Sequence, residues 1–251
     1  MWEDFEEKLK RPKKFKKEKD EDLFETVEEV FDYKTLMALY YVINKGIIEE
    51  MRGVVKSGKE SRIYWAKGKY NEDLAVKIYL TSSMEFKKGI LQYIHGDPRF
   101  KVGKNYRKII YTWAQKEFKN LTEAYSVGVS VPKPIFVHEN ILVMEFIGIN
   151  GIPAPLLKDW PILNKEILNE ILNEIKKLYK NARLIHADLS EYNIMINEGK
   201  PYIIDFGQAV PIEHPMSYEF LTRDINNILR FFRKAGIETP EDEVVINWLK
   251  N

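Results

Sequence analysis

Apolar side chains recur at helical spacing along residues 21–45, first at Val27, Val30 and Phe31, then at Leu36, Leu39, Tyr40 and Ile43. The spacing predicts two short helices meeting near Asp32, with Gly46 ending the second. Shorter periods follow and predict strands at 47–56, 60–68 and 73–79. The third, DLAVKIY, is an apolar run holding one lysine, Lys77. Residues 81–105 are polar and carry Gly89, Gly96, Pro98 and Gly103, which predicts a long mobile loop. Helical spacing returns over 106–126, with Ile109, Trp113, Glu117 and Leu121 on one side. VPKPIFVHENILVMEFIG predicts a hairpin turning at His138-Glu139-Asn140 and starting only after Pro132 and Pro134. A helix is predicted over 161–182, with Pro161 in its first turn. The strands NIMI and PYIID come next, then two helices near 217–235 and 240–250, the last announced by Thr239-Pro240-Glu241-Asp242. This order is α+β: a strand-rich N-terminal part, then a helix-rich C-terminal part.

Composition narrows the chemistry. The 251 residues suffice for one large domain or two small lobes, and 45% hydrophobic residues support a proper core. Cysteine is absent, which excludes disulfides, thiolate catalysis and Cys-based zinc sites. The four histidines are scattered, with no H-E-x-x-H pattern. No apolar run approaches the ~18 residues of a membrane span, and the start lacks the apolar core of a signal peptide. A cytoplasmic protein with no membrane partner is expected. Net charge is +1 but unevenly spread. Lys8, Lys10, Arg11, Lys13, Lys14, Lys16, Lys17 and Lys19 form a basic arm. Lys87, Lys88, Arg99, Lys101, Lys104, Arg107 and Lys108 form a second basic run. Such runs either grip nucleic acid phosphates or are merely solvated.

GVVKSGKES at Gly53–Ser61 is one residue from a Walker A loop, with Glu60 where a metal-binding hydroxyl is needed. The strand-like SRIYWAKGK after it contradicts a Walker loop, which opens a helix. It reads instead as a hairpin able to cover a phosphate chain. The stronger signal is LIHADLSEYNIMI followed by YIIDFGQA. It spaces His186, Asp188, Asn193 and Asp205-Phe206-Gly207 as protein kinases do. Phosphoryl transfer needs metal ions held against phosphates and a carboxylate orienting the attacking group. Asp205 and Asn193 offer hard oxygen ligands for Mg²⁺ (or Mn²⁺), Asp188 would orient the nucleophile, and His186 would hold the loop. LAVKIY places Lys77 to meet the α/β-phosphates of ATP, with Glu117 as its partner and Glu123 as competitor. By kinase analogy the Glu145 carbonyl and the Ile147 amide would bond adenine, with Met144 shaping the pocket.

Together KSGKES, PAPLLKD, LIHADLSEYNIMI and YIIDFGQAV resemble the RIO family of atypical protein kinases, first subfamily, over about 25–235. Lys56 and Ser57 depart from the family's Ser and Thr. The resemblance implies a bilobal kinase-like fold with a reduced C-lobe lacking an activation segment, in keeping with only 46 residues after Asp205. Residues 1–45 would be the basic arm and N-terminal helices, 46–147 the N-lobe and 148–251 the C-lobe. Ser57, Gly58 and Lys59 would approach the phosphates through backbone amides, the Ser57 hydroxyl and the Lys59 charge, with Lys56 beside them in the ATP-binding set. The resemblance further implies serine/threonine kinase or ATPase activity, phosphate carried on Asp205, and action on a small ribosomal subunit precursor and its rRNA. Two alternatives stand beside it. One is an ATP-gated rRNA-binding assembly factor with little turnover. The other is a small-molecule kinase of the aminoglycoside or choline type, disfavoured by the mere 38 residues between Ile147 and His186.

Overall fold

The computed structural model describes residues 31–81, 84–101 and 105–251. The basic arm, the first predicted helix and Lys104 lie outside the described residues, as do the side chains of Lys87 and Lys88. Helix α1 (Tyr33–Asn44) is capped by Asp32, whose carboxylate accepts from Lys34 N at 3.0 Å and Thr35 N at 3.2 Å. Gly46, at φ +72, turns the chain into the sheet.

Strands β1 (Ile48–Ser57), β2 (Ser61–Gly68), β3 (Asp73–Tyr79), β4 (Pro134–His138) and β5 (Ile141–Glu145) form one antiparallel sheet. Its order is β1-β2-β3-β5-β4. Pro134 opens β4 rather than preceding it, which an edge strand tolerates because no ladder donor is lost. Strand alternation divides the sheet into two faces. Leu74, Val76, Ile78, Ile141 and Val143 pack with Leu39 and Val42 of α1 in a small cluster. Ala75, Leu142 and Met144 join the larger core on the other face, where Lys77 also points.

The region between β3 and the next long helix is not all loop. Helix α2 spans Met84–Ile94 and buries Ile90, Tyr93 and Ile94. That i, i+3, i+4 triplet outweighs the charges around it and the helical Gly89, which has open space about it. Helix α3 (Tyr106–Ser126) follows and lies under the sheet.

The helical half starts after a two-strand ribbon, β6 (Gly148–Ile149) with β7 (Ile152–Pro153), and a short 3₁₀ turn at Leu157–Asp159. Helix α4 spans Lys165–Lys180, later than Pro161 suggests, because the Asn164 side chain caps it through Ile167 N at 2.9 Å. Strands β8 (Leu184–Ile185), β9 (Ile194–Asn197), β10 (Lys200–Ile203) and β11 (Val210–Pro211) pair as β8–β11 and β9–β10. Helices α5 (Ser217–Lys234) and α6 (Asp242–Lys250) close the chain. The apolar faces of α4 and α5, led by Leu168, Ile171, Ile225 and Phe232, complete the main core. Among the described residues no helix is long and apolar enough to cross a membrane.

Candidate active site

A cleft of about 400 Å³ opens between the sheet and the β9–β10 ribbon. Lys56, Gly58, Lys77, Glu117, Met144, Glu145, Ile147, Asn193 and Asp205 all line it. Ser57 and Lys59 are exposed on the β1–β2 turn and are not part of that lining. The Gly58 amide is already engaged, closing the turn onto Ser61 O at 3.0 Å, so it is not a free phosphate donor. A wider groove, about 710 Å³, opens beside α4. It holds none of the kinase-motif residues, and its Lys177 and Lys180 already bond Glu174 and the Lys250 carbonyl.

At the back of the cleft, Lys77 Nζ donates to both Glu117 oxygens at 2.9 Å and to Asp205 Oδ1 at 2.8 Å. Glu123, the competing partner, instead pairs with Arg99. Burial works against the Lys77 charge, but Asp205 and Glu117 outweigh it and lift its pKa above the lysine range. One ammonium thus faces two carboxylates. Asp205, half open to the cleft, stays ionised, its pKa lowered by Lys77 against the effect of burial. Glu117 is pushed up to about 7 by burial, which Lys77 only partly offsets.

Asp205 sits in the left-handed region at φ 66, as does Ala187 at φ 64. Both precede a functional loop, where such strained backbone collects. The Ala187 turn is held by buried Asp224 of α5, which accepts from Ala187 N at 2.8 Å and Leu189 N at 2.9 Å. Asp188 lies just beyond the cleft lining. Its Oδ2 accepts from Asn193 Nδ2 at 3.2 Å and Gln208 Nε2 at 3.1 Å. Burial and then the nearby Asp205 raise its pKa, which suits a proton acceptor. His186 is fully enclosed, drawn down to about 4 by burial and therefore neutral at pH 7. Its Nε2 bonds Ile204 O at 2.9 Å and its ring meets Phe206 edge-on, so it braces the strand leading to Asp205.

A magnesium ion fits the donor set. Asn193 turns Nδ2 toward Asp188, leaving Oδ1 for another partner, and Asp205 presents its carboxylate to the cleft. No group of three or more His, Asp or Glu is placed to hold a metal ion among the described residues. Mg²⁺ bound to phosphates needs only one or two protein carboxylates.

The RIO domain family model matches residues 62–244, which contain the whole triad and both loops. The chain belongs to the RIO family. Two archaeal RIO-type serine/threonine-protein kinases named Rio1 are similar over most of it. That of Methanocaldococcus jannaschii is 44% identical, covering 87% of this chain and 74% of its own. That of Haloferax volcanii is 39% identical, covering 90% and 78%. A relationship of this extent makes the chain an atypical kinase of RIO type. Among solved structures, the Rio2 kinase–ADP/Mg²⁺–phosphoaspartate complex from Chaetomium thermophilum has a TM-score of 0.63 at 22% identity. The match covers 83% of this chain but only 64% of that one, and shows that the RIO kinase fold is shared.

Three residues have parts that motif reading does not give, two at the site and one away from it. Gln208, read only as part of a loop motif, steers Asp188. Asp224 carries no local signal, because its partners lie 35 and 37 residues away. Arg107, expected in a basic surface run, is tied to Asp32 at 3.0 and 3.3 Å and joins α3 to α1.

Proposed function

We propose that the chain transfers the γ-phosphoryl group of ATP, with Mg²⁺ or Mn²⁺, to a protein hydroxyl, to itself or to water. The observation that carries this reading is the Lys77–Glu117–Asp205 triad at the back of the cleft. In this reading Lys77 neutralises the α/β-phosphates, oriented by Glu117. Asp205 and Asn193 hold the metal, which supplies charge neutralisation on the phosphate chain. Met144, Glu145 and Ile147 border the adenine, and Lys56 meets the phosphates by its charge, carried on the same turn as Ser57, Gly58 and Lys59. Asp188 orients the acceptor oxygen and accepts its proton as the phosphorus–oxygen bond forms and ADP leaves. Asp205 is a candidate to carry phosphate itself, as the Rio2 complex does on an aspartate. The chain then divides into 1–45, an N-lobe of 46–147 and a C-lobe of 148–251.

The test is incubation with γ-labelled ATP and Mg²⁺. Label on the protein or released phosphate, abolished in Asp205→Asn, is expected. A wild-type chain that binds ATP but neither labels nor hydrolyses it would leave an ATP-gated binding protein.

The family resemblance extends the reading to a cytoplasmic role on small ribosomal subunit precursors and their rRNA. Lys101 and Lys108 are exposed and free to meet phosphates in a way that Arg107 is not. Replacing both by Gln should flatten the salt dependence of rRNA binding by about 0.7–0.9 for each phosphate no longer neutralised. ATP hydrolysis should not change.

A further inference from the structure

Helix α3 carries more than Glu117 to the metal-bearing turn. Trp113, Lys116, Glu117 and Asn120 follow i, i+3, i+4, i+7 spacing, so they share one stripe. All four are buried. Asn120 Nδ2 donates to Phe206 O at 2.9 Å and to Ala209 O at 2.8 Å. Lys116 Nζ donates to Gly207 O at 3.3 Å and also to Ala209 O. Three of the four carbonyls after Asp205 are thus held by two side chains of one helix. The fourth residue, Gln208, reaches forward to Asp188 instead. Trp113 fills the remaining space, for a Cβ on Gly207 would fall 2.9 Å from its ring.

The brace continues outward. Asn120 Oδ1 accepts from Arg99 Nη2 at 2.7 Å. Arg99 also clamps Asp97, with Nε to Oδ1 at 2.9 Å and Nη2 to Oδ2 at 2.8 Å. Asp97 also pairs with Lys116 Nζ, at 3.8 Å, a longer contact than its clamp to Arg99. A lysine buried in this way costs stability compared with an apolar residue of the same size. Its closer contacts are to the backbone that follows Asp205.

We propose that Lys116 and Asn120 are positioning residues that fix the Asp205 turn in its metal-binding geometry through the Phe206, Gly207 and Ala209 carbonyls. The same helix that orients Lys77 then also sets the place of the metal, so the two halves of the phosphate site move as one body. This rests on the reading of Asp205 as the metal ligand.

The test compares wild type with Lys116→Met and Asn120→Ser, each checked for native near-ultraviolet circular dichroism. Two readouts are used: amide hydrogen exchange over 204–209 without nucleotide or metal, and the Mg²⁺ concentration for half-maximal ATP turnover. The expected result is exchange at least about tenfold faster over 204–209 and a half-saturating Mg²⁺ at least about tenfold higher. Lys116→Met should keep or raise the melting temperature, which a merely structural lysine would not. Two folded variants with wild-type exchange and Mg²⁺ dependence would overturn the proposal. If wild type turns over no ATP, the reading of the site fails, and the exchange measurement still decides the brace.

Discussion

The two faces of the five-stranded sheet are built from the same strands and do opposite work. On β3, Leu74, Val76 and Ile78 turn to α1 and pack in an apolar cluster. The alternating residues include Lys77, which turns to α3 and finds a carboxylate. The covering helix makes the difference. The buried face of α1 presents Ala38, Leu39, Val42 and one hydroxyl, Thr35, whereas α3 presents Lys116, Glu117 and Asn120 among its buried residues. A buried charge is tolerated where the opposing element brings a partner, and a one-residue slip of β3 would point Lys77 at the dry face.

Substitutions on the two faces should separate rate from stability. The largest effect belongs to the charged face. Lys77→Met or Asp205→Asn should lower ATP turnover by about 10³–10⁵, the size of charge-stabilising contributions in phosphoryl transfer. The melting curve should stay near wild type, because Met preserves volume and Glu117, already near a pKa of about 7, can take up a proton. A variant that keeps more than a tenth of wild-type turnover would remove the triad from the chemistry.

Asp188→Asn should lose about 10²–10⁴ in transfer to an acceptor. ATP affinity, read by calorimetric titration, should be unchanged. A drop in affinity matching that of Asp205→Asn would exchange the two roles.

On the dry face, Ile78→Ala should destabilise the fold by about 2–5 kcal/mol while turnover per folded molecule remains near wild type. Denaturant unfolding and an active-site titration measure the two quantities. A fall in turnover without a fall in stability would mean that the faces are not independent.

The smallest effect lies at the rim of that face. Asp32 is drawn down to about 2, with burial opposed by Thr81, Arg107 and the Thr35 amide. Its folded pKa is below the unfolded value of about 3.9. The stabilisation is therefore complete above about pH 4 and lost as pH falls toward 2. Asp32→Ala should cost about 0.5–2 kcal/mol at pH 7 through removal of the cap alone. The gap from wild type should close in acid unfolding below about pH 2; a pH-independent gap would assign the effect to packing.

Most of the sheet is legible in the sequence because its strands alternate or run apolar between turn residues. Lys77, Asp188, Asn193 and Asp205 are legible because their spacing is fixed by chemistry. Helix α2 is not, since Gly89 and neighbouring charges mask a short apolar triplet. Lys116 and Asn120 belong to no motif. Only the fold reveals that their side of α3 faces the turn after Asp205, about ninety residues on. Arg107 and Lys108 look alike in a basic run, and a distant aspartate, Asp32, makes one structural and leaves the other exposed.

The contact between Trp113 and Gly207 has an optical consequence. The indole ring abuts the backbone two residues after Asp205, so its emission should register any displacement of that turn. The chain has five tryptophans. With the other four changed to phenylalanine, Trp113 becomes a built-in spectroscopic gauge, able to time the arrival of metal and nucleotide by stopped flow without an added dye.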